Sequence, residues 1–173
     1  MSAILEREVK LRFESAEAAR TAVLATGATP VHGRRLQEDC LLDTAGEDLR
    51  LRRSALRVRM DGGRSLLTFK GPVQPALIKV REELETIVGD GHLLLRILEE
   101  LGFQVWFRYQ KYREEFAVGV FVEIEGGERG IAHVAQALGR GPADYLLESY
   151  RGLFVQHCEQ RGMPATDMLF DAD

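Results

Sequence analysis

Apolar and polar side chains alternate from the start of this chain. Leu5, Arg7, Val9, Leu11 and Phe13 hold every second position, with Glu6, Glu8, Lys10 and Arg12 between them. A period of two is that of a β-strand, whose successive side chains point to opposite faces. One face therefore carries acids and bases, and the other is apolar apart from Arg7. The alternation returns in Leu56-Arg57-Val58-Arg59-Met60, then in residues 66–70 ending at Lys70, with Asp61-Gly62-Gly63 between them as a hairpin turn. A longer strand aligns Lys79, Arg81, Glu83 and Glu85. Later ones align Tyr109, Lys111 and Arg113, and then Glu123 and Glu125 against Val122 and Ile124. A further strand covers roughly residues 31–43, followed by a loop around Ala45-Gly46.

Helical periodicity separates these strands. Residues 15–25 read as a helix with Ser15 as N-cap and Gly27 just beyond its end. Asp90 caps a second, running to about residue 100, with apolar Leu94, Leu95, Ile97, Leu98 and Leu101 and a stop at Gly102. Residues 131–138 form a third. Pro142, at a favoured first-turn position, opens a fourth reaching about residue 160. These helices carry enough apolar surface to cover one face of a sheet. An α+β fold follows, in which the apolar face lies outward under helices and the charged faces look into a shared, wet space. A sheet with one ordinary solvated side needs only Thr, Ser or Gln there, not Arg, Lys and Glu at nearly every outward position.

The 173 residues suit a single domain, with strands to about residue 125 and a helical region over 128–162. Hydrophobic residues at 45% and charged ones at 29% describe a globular chain with a core, not a disordered one. A net charge of −4 argues against a broad basic surface for nucleic acid. No apolar run approaches a membrane span and the first residues lack a signal-peptide pattern, so a cytoplasmic protein with no membrane partner is expected. Cys40 and Cys158 form no CxxC pair, in keeping with a reducing compartment. His32, His92, His133 and His157 have no metal-ligand spacing and read as ordinary surface or boundary residues.

Basic groups gathered in a cavity call for a multivalent anion, and carboxylates beside them for a hard divalent cation such as Mg²⁺ or Mn²⁺. A polyphosphate carrying its metal satisfies both. Arginine supplies planar two-pronged donors to phosphate oxygens and lysine a compact charge.

Glu6-x-Glu8-x-Lys10 resembles the signature of the CYTH superfamily, the triphosphate tunnel metalloenzymes. The resemblance continues through Gln37-x-Asp39, Leu56-Arg57-Val58-Arg59, Thr68-Phe69-Lys70-Gly71, Arg81-x-Glu83-x-Glu85, Lys111-x-Arg113 and Phe121-Val122-Glu123-Ile124-Glu125, in the family's order. It implies a single CYTH-like domain, a closed antiparallel tunnel of about eight strands with helices outside. By the same resemblance Glu6, Glu8, Glu123 and Glu125 match metal-binding acids. Lys10, Arg57, Arg59, Lys70 and Arg113 match residues that grip the triphosphate, with Arg81 and Lys111 as helpers. Glu83 and Glu85 match acids that hold a second metal or orient the bases, and with Glu6, Glu8 and Lys10 they make up the expected catalytic set. Lys79 and Arg12 are expected at the rim and Arg7 outside, while Gln37 and Asp39 either join the site or brace neighbouring strands.

The resemblance implies a metal-dependent enzyme acting on inorganic triphosphate, ATP or thiamine triphosphate, in the first place a phosphohydrolase. The alternatives are a class IV-type adenylyl cyclase, making cyclic AMP and pyrophosphate from ATP, and a non-catalytic polyphosphate- or nucleotide-binding module. Two departures stand out. Leu41 occupies a position where the family often has tyrosine. Only residues 114–122 separate Arg113 from Glu123, where family members usually have an aspartate-bearing strand and a Gly-rich turn. Without that strand its two neighbours would run parallel. A true deletion, a shortened hairpin near Ala117-Val118-Gly119 and a segment missing from the sequence are the three readings of that interval.

Overall fold

Alternation along the strands becomes opposition across them. In the computed structural model, which describes residues 4–26, 35–112 and 120–169, β1 (Leu5–Phe13) lies antiparallel between β5 (Lys79–Val88) and β7 (Val120–Glu125). Glu6 faces Arg81, Glu8 faces Lys79 and Glu125, and Lys10 faces Glu123. β2 (Leu36–Thr44) sets Asp39 against Arg59 of β3 (Ala55–Asp61), and against Tyr109 of β6 (Phe103–Tyr112). β4 (Arg64–Lys70) sets Lys70 against Glu83 and Thr68 against Glu85. Directly opposed residues share a face, so the register brings most of these charges against a partner of opposite sign, Glu8 and Glu125 being the like-charged pair.

The strands form one curled seven-stranded sheet in the order β6-β2-β3-β4-β5-β1-β7, every pairing antiparallel. β6 and β7 therefore run in the same direction at its two edges and exchange no ladder hydrogen bonds among the described residues. Closure by an eighth strand is not seen there. Residues 113–119, and with them Arg113 and most of the interval in question, lie outside the described residues. The exposed edge of β6 is instead covered by the chain at Met168. The Gln110 amide donates to the Met168 carbonyl at 2.8 Å, and the Met168 amide to the Arg108 carbonyl at 2.9 Å.

Apolar residues pack mainly outward, as the alternation implies. Val9, Leu11, Val80 and Ile124 meet Ile131 and Ala135 of α4 (Glu128–Ala137), while Cys40, Leu42 and Val58 meet Leu95 and Leu98 of α3 (Gly91–Glu100). Local signals set the ends of these elements. Ser15 caps α1 (Ala16–Ala25) by accepting from the Ala18 amide at 3.0 Å, and Asp90 caps α3 by accepting from Leu93 at 3.0 Å. Gly62 and Gly63, at φ 55° and 90°, make the turn between β3 and β4 that the twist of a hairpin favours. No helix among the described residues is long and apolar enough to cross a membrane.

Three local features depart from the sequence reading. Pro142 opens only a short 3₁₀ turn (Pro142–Asp144). The last helix, α5 (Tyr150–Gln160), starts later at Ser149, whose Oγ accepts from the Gly152 amide at 3.1 Å. A four-residue helix, α2 (Asp48–Leu51), replaces part of the loop, because the Asp43 carboxylate accepts from the Leu49 and Arg50 amides at 2.9 and 3.0 Å. In β6 the register slips. Leu41 opposes Phe107 but Leu42 opposes Val105, leaving Trp106 as an extra residue. Such a bulge reverses which side chains face which side. Before it, Phe103 and Val105 pack with α3; after it, Phe107 and Tyr109 meet Phe121, Tyr150 and Leu153 in a third cluster reached by α5.

Replacing Asp90 by Ala should lower unfolding stability by about 1 kcal/mol, because the Leu93 amide loses its acceptor, and Asp90→Ser should restore most of it. Denaturant titration of both variants measures the difference.

Candidate functional site

The concave side of the sheet encloses a cavity of about 950 Å³. Glu6, Glu8, Lys10, Arg57, Arg59, Lys70, Arg81, Glu83, Glu85, Lys111, Glu123 and Glu125 all line it. Every site residue expected from the sequence thus converges there except Arg113, which is outside the described residues. Lys79 lines it too. It was expected at the rim but is buried, with its ammonium in close contact with Glu8. Its phase with Arg81 and Glu83 was the signal. Arg12 lies away from the cavity, its guanidinium 5.5 Å from the Phe121 ring centre. Arg7, expected outside, has its guanidinium 3.9 Å from Glu128 of α4, while residue 7 also contributes to the cavity lining.

Three ionic groups organise the lining. In the first, Lys70 Nζ donates to the two Glu6 carboxylate oxygens at 2.9 and 3.1 Å and lies 2.6 Å from Glu83, while Arg81 Nε donates to Glu6 at 3.1 Å. Burial raises the Glu83 carboxyl, and its hydrogen bond to Glu6 adds to this, to about 6. For Glu6 burial acts in the same sense, but the Glu83 hydrogen bond and the Lys70 charge outweigh it and hold the group below the ordinary carboxylate range. Glu83 is therefore the member of the pair that keeps a proton longest.

In the second group Lys10, only 2% exposed, lies 2.9 Å from Glu8 and 3.0 Å from Glu123. Burial would raise Glu123, but Lys111 and Lys10 outweigh it and bring the group down to about 2. Tyr150, at the start of α5, sits beneath both lysines, with Lys10 5.2 Å and Lys111 4.6 Å from its ring centre. Nothing in the sequence singled out Tyr150, since its placement depends on where α5 docks. In the third group Asp39, fully buried, takes two hydrogen bonds from Arg59 at 2.7 and 3.2 Å and has Arg57 at 3.5 Å. Arg57 also donates to Thr68 Oγ1 at 3.2 Å, which donates to Glu85 at 2.9 Å. Asp39 thus braces the two arginines that face the cavity. Gln37 braces more remotely, donating to Asp61 at 2.6 Å.

Glu6, Glu8 and Glu125 each present a carboxylate oxygen within 4.8 Å of the others. Burial, followed by the charges of Glu123, Glu6 and Glu8, raises the Glu125 carboxyl, as expected of acids crowded without a cation between them. The donors are all oxygen, which suits a hard divalent ion. Oxygens sharing one face of an octahedral Mg²⁺ site stand about 3.0 Å apart for bonds of about 2.1 Å, so these three side chains would have to draw together to hold the ion. Glu123, expected in the same set, falls outside it because Lys10 and Lys111 hold it further along β7.

The CYTH domain model matches residues 5–135, the span that contains all seven strands and the ionic groups above. The chain belongs to the CYTH domain family. Members of this family are triphosphate-tunnel enzymes. A Methanocaldococcus jannaschii protein named as a candidate adenylate cyclase is 30% identical over 105 residues, or 53% of this chain and 60% of that protein. This match spans less than two thirds of the relative's length. Among solved structures, one from Vibrio parahaemolyticus, described in the same terms, superposes with a TM-score of 0.74 at 19% identity, covering 89% of this chain and 99% of that one. A Pyrococcus horikoshii OT3 protein gives 0.67 at 25%, covering 86% and 98%. The Vibrio likeness establishes the CYTH fold and nothing finer.

Asp39→Ala should cost this CYTH domain about 3–5 kcal/mol of stability, because it strands two buried guanidinium groups. Denaturant unfolding measures the loss, and an unchanged midpoint would overturn the bracing role. Lys111 gives a pH signature. Burial and the charges of Arg59 and Arg57 outweigh Glu123 and Asp39 and depress its ammonium from 10.5 to about 8. A depressed folded value contributes stability that is complete above the unfolded value and lost as pH falls through the folded one. Unfolding free energy should therefore drop between pH 10.5 and 8 in the native protein, and the drop should shrink in Lys111→Met.

Proposed function

We propose that this CYTH protein is a divalent-metal-dependent phosphohydrolase acting on a triphosphate compound. The observation that carries the reading is the meeting, in one cavity, of a row of fixed cations with a cluster of three carboxylates. Lys10, Arg57, Arg59 and Lys70, with Arg81 and Lys111 beside them, bind and straighten an anionic chain. Their charges are held in place by Glu8, Asp39, Glu83 and Glu6, so little reorganisation is needed as negative charge shifts during phosphoryl transfer. Glu6, Glu8 and Glu125 are the residues that would hold Mg²⁺ or Mn²⁺, and the ion when bound would supply neutralising charge and polarise a phosphate oxygen. Glu83, raised to about 6, titrates close to neutrality and can accept a proton from an attacking water within the same cavity. Glu85, joined to Arg57 through Thr68, orients the cation row.

A second reading is supported by the Methanocaldococcus jannaschii relative's name. In an adenylyl cyclase the same cations would grip the three phosphates of ATP, and the ribose 3′-hydroxyl would attack the α-phosphorus with pyrophosphate leaving. The two reactions differ in which phosphorus is attacked, and identified products separate them.

The test is a panel of inorganic triphosphate, ATP and thiamine triphosphate with Mg²⁺ or Mn²⁺. Phosphate release from at least one substrate is the expected outcome, and cyclic AMP with pyrophosphate from ATP would support the cyclase instead. Glu125→Gln should reduce metal-dependent turnover about a hundredfold or more while leaving the melting temperature unchanged or higher, because it removes one of three crowded acids. Full turnover in that variant would remove Glu125 from the metal site.

A further inference from the structure

Trp106, the extra residue of the β6 bulge, is the chain's single tryptophan, and it lines the same cavity as Glu6 and Lys70. Two arginines lie over its ring. The guanidinium carbon of Arg50, from α2, is 4.5 Å from the ring centre, and that of Arg151, from the first turn of α5, is 4.6 Å. Both arginines also line the cavity. Arg50 is compensated by a close contact with Glu47 and by Asp43 at 3.6 Å. Arg151 has no carboxylate within ion-pairing distance among the described residues, and its Nε is buried without a hydrogen-bond acceptor, whereas the Arg50 Nε faces Asp43. Burial and the charge of Arg50 together depress Arg151.

A pair of neighbouring guanidinium groups, one of which has a buried donor without an acceptor and no carboxylate beside it, is an incomplete arrangement, and the missing part is an anion. The stacking indicates which kind of group would fit. Cation–π contact uses the face of a guanidinium and leaves its in-plane N–H groups free to bind oxygen in the two-pronged manner. The Trp106 ring is already covered by these cations, which disfavours its use as a platform for a nucleobase. We propose that Arg50 and Arg151, held on Trp106, form a second anion subsite in the same cavity, which takes a phosphate group beyond the three held by the cation row. The preferred ligand is then a linear polyphosphate longer than triphosphate. This rests on the tunnel's binding of a triphosphate as proposed above.

The experiment uses inorganic triphosphate and linear tetraphosphate without added metal, read by calorimetry and by Trp106 fluorescence. Tetraphosphate should bind about tenfold more tightly than triphosphate, the worth of one further charge-assisted contact, and should alter Trp106 emission where triphosphate does not. Arg151→Met should abolish both differences and keep triphosphate affinity within about twofold. Arg151→Lys, which retains charge and stem and guards against a folding defect, should lose most of the advantage by losing the planar fork. Equal affinities for the two chains in the native protein, or an equal loss of both in Arg151→Met, would overturn the subsite. So would inorganic phosphate that alters Trp106 emission as effectively as tetraphosphate, since the site would then be independent of a chain in the tunnel. If triphosphate binds and tetraphosphate gains nothing, only the subsite fails; if neither binds, the tunnel reading fails with it.

Discussion

A lysine ammonium that is almost wholly buried stays charged only if acids are built around it, and Lys10 meets that condition through Glu8 and Glu123 on either side. The rest of the cavity repeats this constraint. Glu8 is shared with Lys79, Glu123 with Lys111, and Asp39 between two arginines. Because Glu8 lies directly across from Lys79, Lys10 from Glu123 and Asp39 from Arg59, the β-ladder and the ionic network specify the same register. A slip of one residue in any pairing would send the charges to the outer face and the apolar residues inward.

Such a network is a poor way to gain stability, since desolvating ions costs about as much as their attraction returns, and well-packed apolar groups do as well or better. The outer face already shows what an ordinary solution looks like: Val9, Leu11, Ile124 and Ile131 in mutual contact under a helix. Retaining charge inside while packing hydrocarbon outside makes sense when the interior must exchange its internal partners for those of a ligand. On the function proposed above, an anionic chain would compete with Glu6, Glu8 and Glu83 for the same cations, and a divalent ion would occupy the acids so displaced. Binding of chain and metal would then be mutually reinforcing, each relieving the like-charge repulsion that the other would otherwise leave.

Most of this arrangement was legible because its signal is local. Alternation identified β1 and the faces of Glu6, Glu8, Lys10, Arg57 and Arg59, and capping residues placed the starts of α1 and α3. What escaped depends on tertiary placement. Lys79 looked like the last charge before solvent, but its position opposite Glu8 buries it. Pro142 carries the right residue type for a helix start, yet the chain first runs past Lys10, where Leu146 and Lys10 exchange backbone hydrogen bonds at 2.9 and 3.3 Å, before α5 can form. The compensation of Lys10, Arg59, Lys70 and Arg81 by carboxylates likewise depends on how the strands are placed beside one another.

The bulge at Trp106 shows most directly how one local irregularity shapes the cavity. Strict alternation through β6 would put Val105, Phe107, Tyr109 and Lys111 on one face, because they share a phase. The extra residue separates them, so that Val105 stays with α3 outside while the side chains after it turn to the interior. Lys111 can then reach Tyr150, and Tyr109 can lie opposite Asp39. The apolar part of this turned segment, Phe107 and Tyr109, is what α5 docks against, and α5 in turn presents Tyr150 and Arg151 to the cavity. A sheet of uniform alternation would have a charged inner face with nothing for a helix to grip. By switching phase near one edge, β6 gives the tunnel an apolar seat for α5, and that helix carries side chains into the site which the strands alone do not supply.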